Sequence, residues 1–178
     1  MLNDEYRKIG LSFNAAKSEI VLFNWNDSTD VSVRLGDITV KPVTSLTYLG
    51  LLVGTSVRAT RSLIVSHLKN RISASYGNIV ANKLRFNRMI LARLYNATAL
   101  PHILYIAPFW RMLQKSDIKQ IWSYYFRYAK YLFRLPLWTR SSYISRHYKI
   151  TEPCQAVIKQ IDSFNARLSH EWSSLLRQ

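Results

Sequence analysis

Metal-dependent phosphoryl transfer needs two or three carboxylates converging on the cations. This chain of 178 residues has 10 Asp and Glu, and no two aspartates are adjacent. Six of the acids fall before residue 38. Asp4 and Glu5 are neighbours, but on an expected helix end adjacent charges make a solvated face. His147, Cys154 and His170 lack the paired short spacings of a zinc site, so they read as ordinary side chains. No P-loop, GxSxG or GxGxxG occurs. The chain as it stands holds no complete catalytic constellation, and no metal or cofactor is expected on it. Its single cysteine can form no intrachain disulfide, which fits a reducing, intracellular setting, nucleus or cytoplasm.

What the sequence does supply is cations and aromatic rings. Lys and Arg number 25, for a formal charge of +15. Residues 1–55 hold five of them with six acids, and residues 151–178 hold three of each. Residues 56–150 hold seventeen against one acid, Asp117. A surface that needs only solubility mixes both signs, so this one-signed segment reads as a field aimed at a polyanion. Arg58, Arg61, Lys69, Arg71, Lys83, Arg85, Arg88 and Arg93 follow one another with no intervening acid. The 11 tyrosines and 5 tryptophans beside these cations suit nucleic-acid backbones and bases. Many rings are nonetheless expected in the core, Trp110, Trp122 and Tyr125 among them.

The elements that must position these groups fall into an α+β arrangement, a short antiparallel hairpin or sheet followed by a mainly helical region. Residues 1–55 read as strands: Ser18–Phe23, Val31–Leu35, Ile38–Val43 with Pro42 marking an edge, and a third apolar run, Leu46–Val53, ending at Gly54. Gly36-Asp37 reads as a two-residue turn, and Gly10 as the end of an N-terminal helix. Residues 56–150 read as helices over about 57–76, broken by Gly77-Asn78, over about 80–99, closed by Pro101, and from an N-cap at Ser116 to a stop at Pro136. On that last helix, at 100° per residue, Ile118, Ile121, Trp122, Tyr125, Phe126, Ala129, Leu132 and Phe133 share one side. Lys119, Arg127, Lys130 and Arg134 gather opposite, with Tyr124, Tyr128 and Tyr131 between. Residues 151–178 read as a helical tail. The charged N-terminus does not look like a signal peptide, and no apolar stretch is long enough to span a membrane.

Two short strings carry more than composition can. Gly10–Glu19 (GLSFNAAKSE) resembles the GL-x-x-N-x-x-K-[TS] stretch that follows the catalytic aspartates in the palm of reverse transcriptases. About thirty residues on, Leu46–Gly50 (LTYLG) resembles the YLG hairpin that these enzymes use as a primer grip. Their order and spacing are similar to those of the non-LTR, LINE-like retrotransposon enzymes. Arg71-Ile72 with Ala74, Leu94-Tyr95, Pro101, Leu104-Tyr105 and Trp110 look like that family's helical region after the palm.

The resemblance implies the end of a palm, residues 1–55, a basic thumb-like region, residues 56–150, and a tail. The family's paired aspartates lie upstream of the first string, so the fragment is expected to be inactive alone, with Mg²⁺ belonging to the full-length enzyme. Lys17 matches the lysine near the incoming nucleotide's phosphates, a possible proton donor to the leaving pyrophosphate. Tyr48, Leu49 and Gly50 match the hairpin that holds the primer end. The implied partners are an RNA template, the RNA/DNA primer–template duplex and the upstream part of the polymerase, not a membrane. The helices would read the duplex by its shape and phosphates. A free-standing basic helical module for RNA or DNA explains the charge equally well but leaves both strings as coincidences. A membrane-surface protein with basic amphipathic helices is a third reading, for which the acidic, strand-rich start offers no reason.

Overall fold

Short β-favouring runs separated by two residues pair back on themselves, and the first part of the chain folds this way. In the computed structural model, which describes residues 8, 10, 14, 17–24, 31–35, 38–81 and 86–175, β1 (Val33–Leu35) pairs antiparallel with β2 (Ile38–Val40). β3 (Ser45–Tyr48) pairs with β4 (Leu51–Gly54), Tyr48 opposite Leu51. The Leu46–Val53 run is thus two strands folded about Leu49-Gly50. Both turn residues have positive φ, 48° and 77°, as a type I′ turn requires. Ser18–Phe23 is not a strand. It makes one parallel bridge, Ile20 to Pro42, where the Val43 N–H donates to the Ile20 carbonyl at 2.8 Å. Pro42 has no N–H with which to extend a ladder. Gly10 has the left-handed φ, 75°, of a helix-ending glycine. The rest of the expected N-terminal helix, apart from Lys8, and the Gly36-Asp37 turn lie outside the described residues.

Helix α1 (Val57–Val80) starts two residues after β4. Ser56 caps it, its Oγ accepting the Ala59 N–H at 3.1 Å. The buried Thr60 hydroxyl accepts the Gly54 N–H at 3.0 Å and lies 3.3 Å from the Gly54 carbonyl, to which it donates. A Cβ at Gly54 would sit 2.9 Å from that of Ala59, so this close approach of strand end to helix requires glycine. The chain divides into two compact units, residues 1–64 and 65–178, with the boundary inside α1.

The second unit is helical. α1 continues through the expected break at Gly77-Asn78, because Ile79 is buried on the side that also carries Leu68 and Ile72. That burial outweighs the roughly 1 kcal/mol a helical glycine costs. α2 (Arg88–Thr98) is capped by Asn87, whose Oδ1 accepts the Ile90 N–H at 2.9 Å. Pro101 does not simply close this helix. It occupies the first turn of α3 (Leu100–Tyr105), where its missing N–H costs nothing. A 3-10 turn over Ala107–Met112 leads to α4 (Lys115–Leu132), α5 (Ser141–Tyr148) and α6 (Pro153–Leu175). The N-cap of α4 is Gln114, not Ser116: its N–H donates to Asp117 Oδ2 at 2.9 Å. Glu152 caps α6 by accepting the Gln155 N–H at 2.7 Å and also accepts the Trp122 indole N–H at 2.7 Å. α3 packs on α6, α6 on the 3-10 turn, and α5 on both α2 and α4. Ile121, Tyr125, Phe126, Ala129 and Leu132 of α4 are buried as their periodicity predicts, together with Tyr95, Ile103, Ile144 and Val157.

Candidate nucleic-acid interface

Residues four and three apart on a helix stack on one side, so Lys69, Ser73 and Tyr76 of α1 present a single stripe. It meets Gln120, Tyr124, Tyr128 and Tyr131 of α4. Lys69 Nζ donates to Gln120 Oε1 at 2.9 Å and lies 5.8 Å from the centre of the Tyr124 ring. The Arg127 guanidinium is 5.7 Å from the same ring, so one tyrosine carries two cations. The Tyr128 hydroxyl donates to Ser73 Oγ at 3.0 Å and lies 3.5 Å from that of Tyr124. The hydrogen bond to Tyr128 is the main reason the Tyr124 phenol is held above its usual value. Tyr128 touches the rings of Tyr76 at 5.0 Å, Tyr124 at 5.1 Å and Tyr131 at 5.8 Å. The seam is a connected cluster of aromatic rings, edged by the exposed side chains of Lys119, Arg127 and Tyr131.

The other two cations expected on this face are placed differently. Lys130 Nζ donates to the Leu137 carbonyl at 2.6 Å, tying the helix to the following loop. Arg134 lies beyond the helix, which ends at Leu132 before Pro136 is reached. Its φ is 55°, its N–H donates to the Tyr131 carbonyl at 3.2 Å, and Leu135 N–H donates to the Lys130 carbonyl at 2.9 Å. This is a Schellman closure, with arginine where glycine is usual. A periodicity carried past the closure puts Arg134 on a face it does not share.

Nor do the cations of α1 and α2 form one stripe. Arg71 is two residues, or 200°, from Lys69 and lies near His67 and His102. Burial, and then the Arg71 charge, hold both imidazoles below the usual histidine value. Arg88 and Arg93 are exposed and line a cavity of about 620 Å³ with Asn96, Tyr143, His147 and Lys149. Lys83 and Arg85 lie outside the described residues. Sequence reasoning missed this cavity, because Tyr143, His147 and Lys149 sit some fifty residues from Arg93 and no local pattern joins them. A tyrosine and a histidine four apart near a helix C-terminus were the available signal.

In the first unit Tyr48 and Leu49 are 64% and 72% exposed at the tip of the β3–β4 hairpin, with Gly50 beside them. Arg58 is exposed and Arg61 half-buried in the first two turns of α1. Lys17 is exposed, its N–H donating to the Asn14 carbonyl at 3.1 Å. Of the rings expected in the core, Tyr125 is fully buried and Trp110 and Trp122 are half-buried. Among the described residues no group of three His, Cys, Asp or Glu could hold a metal ion, and no helix is long and apolar enough to cross a membrane. No protein-family model, curated protein or solved structure matches the chain.

Proposed function

We propose that this chain grips a primer–template duplex, as the thumb and the end of the palm of a non-LTR reverse transcriptase do. The observation that carries the reading is the hairpin tip. Tyr48-Leu49-Gly50 is exposed, and Leu49 holds a left-handed φ of 48° that a branched apolar residue avoids. Strain kept in an exposed turn points to use rather than to packing. It lies where the resemblance expects the primer to be held, upstream of a segment with seventeen cations and one acid. That acid, Asp117, accepts the Gln114 N–H at the start of α4 and is one negative charge against seventeen positive ones.

Duplex binding through phosphates releases condensed counterions, about 0.9 log unit of affinity per log unit of salt for each contact on B-DNA, with hybrids in the same range. The double variant Lys119→Gln, Arg127→Gln is expected to flatten the salt slope for a blunt RNA–DNA hybrid by about two and to weaken binding whatever the sequence. Circular dichroism checks that the variant is folded. An unchanged slope would remove α4 from the interface. Tyr48→Ala separates the two binding readings: it weakens hybrid binding if the hairpin holds the primer, and leaves it unchanged in a free-standing helical module.

A further inference from the structure

The cavity between α2 and α5 in the helical unit is not part of the α1–α4 seam, and its chemistry is different. Three of its side chains, Arg88, Arg93 and Lys149, are basic, and among the described residues no carboxylate lines it. Arg88 is the first residue of α2, an eleven-residue helix whose N-terminal end carries partial positive charge. The wall has an aromatic step as well. Tyr143 stacks on His147 with ring centres 4.2 Å apart and planes 34° from parallel, and Tyr143 remains 46% exposed. Behind it Tyr148 is braced by Phe133 at 4.5 Å. Asn96 forms a fixed polar wall: its Nδ2 donates to the Lys149 carbonyl at 2.8 Å, and its Oδ1 accepts the Thr151 N–H at 3.0 Å and the Tyr125 hydroxyl at 3.3 Å. One N–H of that amide is left to donate.

A volume of about 620 Å³ accommodates one nucleotide and is far too small for a duplex. We infer that this cavity takes one unpaired nucleotide of a single strand, its base stacked on Tyr143 and its phosphates on Arg88, Arg93 and Lys149. The cations are on long exposed side chains at the rim, which suits a strand that continues in both directions better than an enclosed mononucleotide. The spare Asn96 N–H donates to an acceptor on the base edge.

The full chain is titrated with a blunt RNA–DNA hybrid, with the same hybrid carrying a short single-stranded overhang, and with a labelled oligouridylate. The overhang is expected to raise affinity about tenfold over the blunt hybrid. Tyr143→Ala should abolish that gain while leaving blunt-hybrid affinity unchanged, Arg93→Gln should abolish the excess of overhang over blunt affinity even where it weakens both, and Tyr143→Phe, which keeps the ring, should retain the gain. An overhang nucleotide substituted with 5-iodouridine should photo-crosslink to Tyr143. Equal affinity with and without the overhang, or a gain that survives both variants, would overturn the proposal. Competition by uridine monophosphate as strong as that by oligouridylate would also overturn it, by assigning the cavity to free nucleotides. Loss of blunt-hybrid binding with oligouridylate binding still dependent on Tyr143 would defeat the duplex-grip reading and leave this one standing.

Discussion

At the scale of single residues, chemistry is decided by what surrounds each group. Cys154 is the second residue of α6, half-buried, and burial, with help from the Glu152 charge, pushes its thiol up to about 11 from an ordinary value near 9. Roughly a hundredfold less thiolate is then present at pH 8, and the greater nucleophilicity of a more basic thiolate recovers about a factor of ten. Iodoacetamide should therefore alkylate the folded chain about tenfold more slowly than the chain in guanidinium, with a rate that keeps rising through pH 10. Equal rates in the two states would show an open, unperturbed thiol. Asn96 illustrates the same dependence on surroundings. A half-buried amide that looks unremarkable in sequence joins α2 to the connection between α5 and α6 by two hydrogen bonds and to Tyr125 of α4 by a third.

At the scale of elements, the β3–β4 hairpin and α4 show local rules being followed and broken. Placing a residue with a Cβ in the left-handed region costs about 1–2 kcal/mol, and Leu49 occupies the first position of a turn that favours Asn-Gly. Leu49→Asn should raise the stability of the first unit by about 0.5–1 kcal/mol, because the lost side chain is mostly exposed. Urea denaturation followed by a probe in the hairpin measures this, and an unchanged or lowered midpoint would show that the leucine pays its own strain through contacts. If the tip meets a primer, the more stable variant also binds the hybrid less tightly. α4 follows its periodicity on the buried side, but its cationic side is reduced by a Schellman closure at Arg134 and by the bond from Lys130 to Leu137.

At the scale of the molecule, the low acid content leaves few carboxylates to govern the response to pH, and histidines of the helical unit come forward. Burial and then the Arg71 charge lower the folded pKa values of His67 and His102 below the unfolded value near 6.5. The unfolded chain then binds more protons in that interval. The stability due to these two residues is complete above about pH 6.5 and is lost as pH falls toward their folded values. Thermal unfolding between pH 7 and pH 5 should show this decline, and the double variant His67→Gln, His102→Gln should flatten it. A decline of the same steepness in the variant would assign it to other groups.

The α+β class, the buried side of α4 and the concentration of positive charge were legible in the sequence, because periodicity and composition act locally and add along the chain. Helix ends were less so. Gly77-Asn78 did not break α1, since the burial of Ile79 outweighed a local penalty, and Pro101 opened a helix where a stop was expected. Which cations share a surface was not legible at all. Lys69 reaches the Tyr124 ring, which Arg127 also approaches, across some fifty residues, Lys130 is taken by a loop carbonyl, and Arg93 is brought to Tyr143 only when α2 packs on α5. By itself the sequence determined the inventory of charge and rings and the elements that carry them. Tertiary structure decided their grouping, because helix packing joins side chains whose separation along the chain carries no trace of their proximity.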